Sequence, residues 1–91
     1  MALESSLAVY TDPMQKPRFI LAEWDEEAAV WVATSDDVPG LATESDTLEA
    51  LAEKLKHLVP ELLEANGEAL EGEVAFEIMA RRYGVASRAL H

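Results

Sequence analysis

Residues 35–46, SDDVPGLATESD, place the tightest constraint on the fold, because they predict a turn, a short strand and a helix start in succession. Pro39 fixes its own φ angle and biases Val38 toward extended geometry. Gly40 permits a left-handed backbone turn that a Cβ atom would resist. The chain is therefore expected to reverse direction at Pro39 and Gly40.

The residues after this turn predict a strand followed by a helix. Leu41 to Thr43 can form a short strand, and Asp46 is the predicted N-cap of the helix. Glu49, three residues later, would complete a capping box. The helix is expected from Thr47 to about Ala65, because leucines recur at intervals of three and four. These leucines are Leu48, Leu51, Leu55, Leu58 and Leu62.

Two signals shape the remainder of the helix and the strand after it. Pro60 lies inside the leucine pattern and predicts a kink or a restart near Val59. Asn66 and Gly67 predict a left-handed C-terminal stop. Apolar residues alternate from Glu73 to about Arg81, which predicts the last strand.

Two apolar runs, residues 19–24 and 29–34, are separated by four residues and predict a β-hairpin. Both faces of this hairpin are apolar, so we expect the helix to cover one face and a second subunit or a partner to cover the other. If the large aromatic residues lie on the face away from the helix, they form the subunit contact. The predicted interface residues are Trp24, Ala29, Trp31 and Ala33.

The predicted element order is β-β-β-α-β, which indicates an α+β domain with a mixed sheet and one helix packed on one face. The expected division is an N-terminal arm at 1–18, the domain at 19–82 and a short basic tail at 83–91. With 91 residues the chain has room for one small core, so self-association into a dimer or a higher oligomer is expected.

The net charge of −11 is unevenly distributed. Residues 19–80 carry sixteen carboxylates and two lysines, which gives −14, whereas residues 81–91 carry three arginines and no carboxylate, which gives +3. Such an acidic body repels polyanions, so direct nucleic-acid binding is not expected and a basic protein partner is favoured. The alternative interpretation is that the acidity only maintains solubility.

Cysteine is absent, which excludes disulfides and thiol chemistry, and no window is long and apolar enough for a membrane span. The sequence shows no basic start followed by an apolar run. A cytoplasmic location without membrane attachment is therefore expected.

Carboxylates at several positions raise the possibility of metal-dependent nuclease chemistry. Glu23, Glu49 or Glu53, and Glu77 would have to converge on divalent ions, but the patterns place them on different faces. An acidic cluster around Asp36, Asp37, Glu44, Ser45 and Asp46 does not match a calcium loop. His57 and His91 are isolated. The prediction is therefore no catalytic residue, no metal and no cofactor.

The string from the acidic turn to the helix start resembles the core of HicB-like antitoxins. The resemblance rests on nine residues: Asp37, Val38, Pro39, Gly40, Leu41, Thr43, Asp46, Thr47 and Glu49. It implies a partial ribonuclease-H-like fold and a non-enzymatic module that neutralises a small basic toxin, an mRNA interferase. These nine residues would serve the architecture.

The segment VPELLEANG, from Val59 to Gly67, is more similar to short, stand-alone HicB-related domains of unknown function. Because only about ten residues follow the last predicted strand and no second helical pair is present, DNA binding of the kind found in many HicB antitoxins is not expected. Two alternatives to an antitoxin-type binding module stay open. One is a degenerate ribonuclease-H-like nuclease, and the other is a small-ligand sensor that uses the space between helix and sheet.

Overall fold

The computed structural model describes residues 16–88, which form a four-stranded sheet and one helix. The elements are β1 at Arg18–Asp25, β2 at Val30–Thr34, β3 at Ala42–Ser45, α1 at Leu48–Ala65 and β4 at Phe76–Arg81. The predicted order β-β-β-α-β is confirmed. Most of the predicted N-terminal arm, and the last three residues of the predicted tail, lie outside the described residues.

The sheet has the order β3-β2-β1-β4. β1 pairs antiparallel with β2, β2 pairs antiparallel with β3, and β4 lies parallel to β1. The predicted mixed sheet is confirmed. Because β4 joins the far side of β1, the chain uses α1 to cross from one edge of the sheet to the other.

The β1–β2 turn is set by a side chain at the end of β1. The Ala28 amide donates to Asp25 Oδ1 at 3.1 Å, and the Ala29 amide donates to the Asp25 carbonyl at 2.8 Å. Ala29 takes a positive φ of 56°, which closes the turn. The prediction that Ala29 belongs to the second strand is therefore wrong, since β2 begins at Val30.

The predicted turn at Pro39 and Gly40 is confirmed. The Leu41 amide donates to the Val38 carbonyl at 3.1 Å, and Gly40 has a φ of +89°, the pattern of a type II turn. Val38 is fully buried and Leu41 is 5% exposed, so the turn directs two apolar side chains into the core. The Asn66 side chain donates to the Pro39 carbonyl at 2.9 Å and joins this turn to the end of α1.

The helix starts one residue later than predicted. Thr47 is the N-cap: it has extended dihedral angles, and its Oγ1 accepts from the Ala50 amide at 3.0 Å. The prediction that Asp46 caps the helix is wrong, and so is the predicted capping box with Glu49, which lies one position too early relative to Thr47. Glu49 still lies in the first turn, where its negative charge interacts favourably with the helix dipole and stabilises the helix.

The helix end agrees with the prediction. The Gly67 amide donates to the Glu64 carbonyl and the Glu68 amide to the Leu63 carbonyl, both at 3.0 Å, which forms a Schellman motif. Gly67 has a φ of +90°. The helix continues through Pro60 without a break, so the predicted restart near Val59 does not occur.

The core lies between α1 and one face of the sheet. Its residues are Ile20, Ala22, Ala33, Val38, Leu41, Leu51, Leu55, Val59 and Leu63. The helix contributes Leu51, Leu55, Val59 and Leu63 to this core, whereas Leu48, Leu58 and Leu62 of the predicted stripe are only partly buried against it. Each fully buried large side chain contributes about 1.5–3 kcal/mol relative to its exposed state. The helix thus covers one face of the sheet, and the predicted packing of one helix on one face is confirmed.

Candidate protein-binding surface

The sheet face opposite α1 forms the candidate site. We name it the open face, because the only helix among residues 16–88 lies on the other side of the sheet. Its apolar residues are Phe19, Leu21, Val30, Val32 and Met79. Phe19 is 40% exposed and Met79 is 51% exposed, whereas Leu21 and the two valines are half-buried by their neighbours in the sheet.

Strand register brings these side chains together. Leu21 is paired with Met79 of β4 on one side and with Thr34 of β2 on the other. Because side chains alternate along a strand and paired residues point to the same face, Phe19 and Val32 share the face of Leu21. The open face therefore has an apolar centre that spans β4, β1 and β2.

Charged residues surround this centre. Glu23, Asp25, Glu44 and Glu77 share the open face by register, and Arg81 faces Glu23 with Nη1–Oε2 at 3.9 Å. Four carboxylates and one guanidinium give this rim a formal charge of −3. An apolar centre with a polar rim is the arrangement of a protein-protein contact surface.

The tryptophans lie on the opposite side of the sheet from the open face. Trp24 and Trp31 form a cross-strand pair with ring centroids 5.3 Å apart and an interplanar angle of 63°. Ala33, on the same face, is fully buried in the core, and Trp31 packs against that core. The prediction that Trp24, Ala29, Trp31 and Ala33 form the face away from the helix is therefore wrong.

The Trp24 ring is held in place by polar groups. Its Nε1 donates to Glu26 Oε2 at 2.8 Å, and the Arg82 guanidinium lies 4.3 Å from the ring centroid. A cation over the face of an indole is attracted by the ring quadrupole. Trp24 thus holds the start of the chain segment that follows β4.

The residues of the HicB-like resemblance shape the fold and are not gathered at one site. Asp37 Oδ2 accepts from the Phe19 amide at 2.8 Å, and the Asp37 amide donates to Ser35 Oγ at 3.0 Å. These bonds hold the start of β1, and therefore Phe19 on the open face. Thr43 is paired with Ala33 on the core side of the sheet. Of the nine residues, Asp37 contacts the candidate site, since its carboxylate accepts from the backbone amide of Phe19.

A second clamp holds β1 from its N-terminal end. Arg18 donates to Glu68 through two bonds, Nη2–Oε1 at 2.7 Å and Nη1–Oε2 at 3.1 Å, and also to the Asp37 carbonyl at 3.3 Å. The hydrogen bond from Arg18 lowers the pKa of Glu68, and the same bond raises the pKa of Arg18. The sequence does not predict the pair of Arg18 and Glu68, because the two residues are 50 positions apart and no local pattern links them.

The carboxylates considered for nuclease chemistry are separated by the sheet. Glu23 and Glu77 lie on the open face, whereas Glu49 and Glu53 belong to the helix on the other side. Glu53 pairs with Lys56, and the hydrogen bond from Lys56 lowers the pKa of Glu53. Within the described part of the chain, no group of three or more histidine or acidic side chains could hold a metal ion.

A groove beside Glu23, Trp24 and Arg82 has a volume of about 480 Å³, whereas the groove at the helix, where a small ligand was considered, is smaller. The groove between α1 and β4, lined in part by Pro60, Val74 and Phe76, has a volume of about 260 Å³. That volume lies below the range of about 300–1,000 Å³ typical of small-molecule sites. Among residues 16–88, no helix combines the length and the apolar character needed to cross a membrane.

These features define a class of protein: a small α+β domain in which, over residues 16–88, one helix packs on one face of the sheet and the other face has an acidic rim. The chain belongs to the family DUF1902, a domain of unknown function, whose family model matches residues 18–87.

The fold is similar to the crystal structure of a hypothetical protein from the extremely thermophilic bacterium Thermus thermophilus. The two sequences are 56% identical over 78% of this chain and 100% of that chain, with a TM-score of 0.68. A search of curated proteins found no significant match.

Proposed function

We propose that this chain is a non-enzymatic protein-binding module of antitoxin type, which neutralises or regulates a small basic partner such as a toxin-like mRNA interferase. The open face is the proposed contact surface. The observation that carries the proposal is the apolar centre of the open face, where Phe19 and Met79 are exposed and carboxylates form the rim.

The exposure of the apolar centre supports a contact function. Monomeric soluble proteins rarely leave large contiguous apolar patches in water, and a polar rim around such a patch is typical of interaction sites. Phe19 and Met79 are 40% and 51% exposed although both lie in regular strands. Placing a partner on this face would remove these side chains from water and strengthen the association.

The charge distribution supports a basic partner. The formal charge of −14 over residues 19–80 attracts a cationic protein over long distances, and the rim of −3 meets its positive side chains at close range. The same negative charge repels RNA and DNA, so this chain is not expected to contact nucleic acid itself. In the proposal, the basic partner makes that contact.

The antitoxin type and the partial ribonuclease-H-like fold rest on the HicB-like resemblance. The element order β-β-β-α-β agrees with the order that the resemblance implies. The separation of the carboxylates by the sheet supports a role in binding over a role in hydrolysis, because two-metal chemistry needs acidic groups that converge.

If the reading frame beside this gene encodes a small basic protein, binding of the two purified proteins tests the proposal. Glu77→Lys on the open face and Glu61→Lys on the exposed surface of α1 change the net charge equally, so they form a matched pair. We expect Glu77→Lys to raise the Kd by about tenfold or more and Glu61→Lys to change it much less. Equal effects of the two variants would contradict a contact at the open face.

A nuclease assay separates the leading function from hydrolysis. The purified chain is incubated with an RNA–DNA hybrid and magnesium or manganese, and product formation is followed. We expect no cleavage above background. Cleavage that disappears in Glu23→Gln or Glu77→Gln would overturn the binding-module proposal.

A further inference from the structure

Strand β4 leaves one edge of the sheet unprotected. Within residues 16–88, β4 is hydrogen-bonded to β1 on one side only, and its six residues stay in continuous register from Phe76 to Arg81 without a bulge. It contains neither proline nor lysine, and its two charged residues, Glu77 and Arg81, share the open face by register. Natural edge strands usually carry such residues or bulges, because a free row of backbone donors and acceptors pairs with other chains.

The opposite edge is different. β3 has only four residues, and the Lys54 ammonium donates to the Glu44 carbonyl of this strand. A short edge strand with a lysine on its backbone is protected against pairing. The two edges of the sheet therefore differ in their capacity to add a strand, and β4 has the greater capacity.

The segment after β4 has apolar side chains that are exposed within the described part of the chain. We name residues 82–88 the C-terminal arm; it has no regular secondary structure, and every residue in it is exposed. Tyr83 is 87% exposed and Val85 is 77% exposed. Arg82 holds the root of the arm, through the Trp24 ring and through Glu26 Oε2 at 3.9 Å. All but the last residue of the arm falls within the match to the family, so it is part of the domain.

Charge indicates what the C-terminal arm contacts. The arm carries Arg82 and Arg88 and no carboxylate, whereas residues 69–75, which precede β4, carry Glu71 and Glu73 and no basic residue. If two β4 strands pair antiparallel, the arm of each copy runs past residues 69–75 of the other, and opposite charges meet. Parallel pairing would place the two arms side by side, with like charges together.

We infer that β4 and the C-terminal arm bind a second copy of this chain, with the two β4 strands antiparallel about a twofold axis. The pairing extends the sheet to eight strands, and each arm places Tyr83 and Val85 against the other copy. A twofold interface uses the same surface of both copies and closes, which limits growth beyond the dimer. This interface uses the backbone edge of β4 and the C-terminal arm, whereas the proposed basic partner would contact the side chains of the open face, to which β4 also contributes.

Sedimentation of the full chain tests the dimer. The mass of one chain is 10.0 kDa, and we expect the full chain to sediment with twice that mass. A variant truncated after Arg82 should sediment as a monomer. Ala42→Lys, which charges the protected edge strand β3, is the control and should leave the dimer intact. Circular dichroism melts establish that each variant is folded.

Three outcomes would overturn the inference: a full chain that sediments as a monomer at high concentration, a dimer that survives loss of the C-terminal arm, or a dimer lost in Ala42→Lys. If the dimer survives truncation but is lost in Leu21→Asp, the second copy binds the open face instead.

Cross-linking tests the strand direction. The sequence contains no cysteine, so Glu71→Cys and Val85→Cys each introduce a single thiol. After the two variants are mixed and treated with a short bismaleimide, we expect cross-links between the different chains in preference to cross-links between like chains. If most cross-links join two Val85→Cys chains, the two arms lie side by side in parallel, and the antiparallel arrangement is overturned.

Discussion

At the scale of single residues, the pair of Arg18 and Glu68 joins the first strand to the segment that follows the helix. The guanidinium makes two hydrogen bonds to the carboxylate, a geometry that is stronger than a single contact. Both side chains are partly exposed, at 29% and 39%, so solvent screens the interaction. The clamp holds the start of β1, where Phe19 enters the open face.

The pair predicts a defined dependence of stability on pH. Because the hydrogen bond from Arg18 lowers the pKa of Glu68 in the folded protein, its stabilisation is fully present above the ordinary carboxylate pKa. It is lost as the pH falls through the lowered folded pKa. We therefore expect Glu68→Gln to lower the Tm at pH 7 and to have a smaller effect near pH 2, because Glu68 becomes protonated as the pH falls through its lowered folded pKa.

Thermal melts at the two pH values measure this difference. Glu27→Gln, at an exposed turn carboxylate for which the structure records no ion pair, is the control and should change the Tm little at either pH. A Glu68→Gln effect that is the same at pH 7 and at pH 2 would rule out the ionic origin.

At the scale of elements, the helix depends on its two ends. The C-terminal end is closed by the Schellman motif at Gly67, and the N-terminal end is closed by the Thr47 hydroxyl. Four backbone amides at a helix start have no partner within the helix, so a side-chain acceptor there stabilises the whole element. The helix in turn supplies four of the nine buried core residues: Leu51, Leu55, Val59 and Leu63.

Two neighbouring substitutions distinguish the true cap from its neighbour. Thr47→Ala should lower the free energy of unfolding by about 1 kcal/mol, because the Ala50 amide loses its acceptor. Asp46→Ala should lower it by clearly less, since Asp46 lies outside the cap position. Urea denaturation of both variants measures the difference, and a larger loss in Asp46→Ala would contradict the cap seen in the structure.

At the scale of the whole molecule, the net charge of −11 opposes the compact state. Most of the ion pairs in the described region are exposed and individually weak. Self-repulsion among carboxylates therefore outweighs local attraction, and it is long-ranged when salt is scarce.

Salt should consequently stabilise the fold. Between roughly 0.01 M and 0.15 M ionic strength the Debye length falls from about 30 Å to about 8 Å, which screens repulsion across the domain. We expect the Tm to rise over this range in sodium chloride, as measured by calorimetry. A Tm that falls with salt would mean that the ion pairs, the Arg18–Glu68 clamp among them, dominate the electrostatic free energy.

Much of the fold could be predicted because it follows from local signals. The turn at Pro39 and Gly40, the leucine stripe and the stop at Gly67 each rest on backbone or side-chain constraints within a few residues. Local signals were ambiguous where two suitable residues are adjacent. Asp46 and Thr47 are both good N-caps, and the structure selects Thr47, whose dihedral angles are extended immediately before the helix.

The candidate site could be predicted only in part. Alternation along the strands already separates Phe19 and Leu21 from Ile20, Ala22 and Trp24, so the membership of each face follows from the sequence. The sequence does not predict which face α1 covers, because both faces of the hairpin are apolar and either could form the core. The sequence therefore does not indicate that Trp24 and Trp31 lie on the side of the helix.

The sequence by itself determined the order of the elements, the turn before β3, the end of the helix and the acidic character of the domain, since these depend on residue type and short spacing. Only the tertiary structure decided which sheet face the helix buries, which edge β4 occupies, and that Arg18 meets Glu68. The physical reason is that these features depend on contacts between residues far apart in the chain, and the chain makes those contacts only when the core closes.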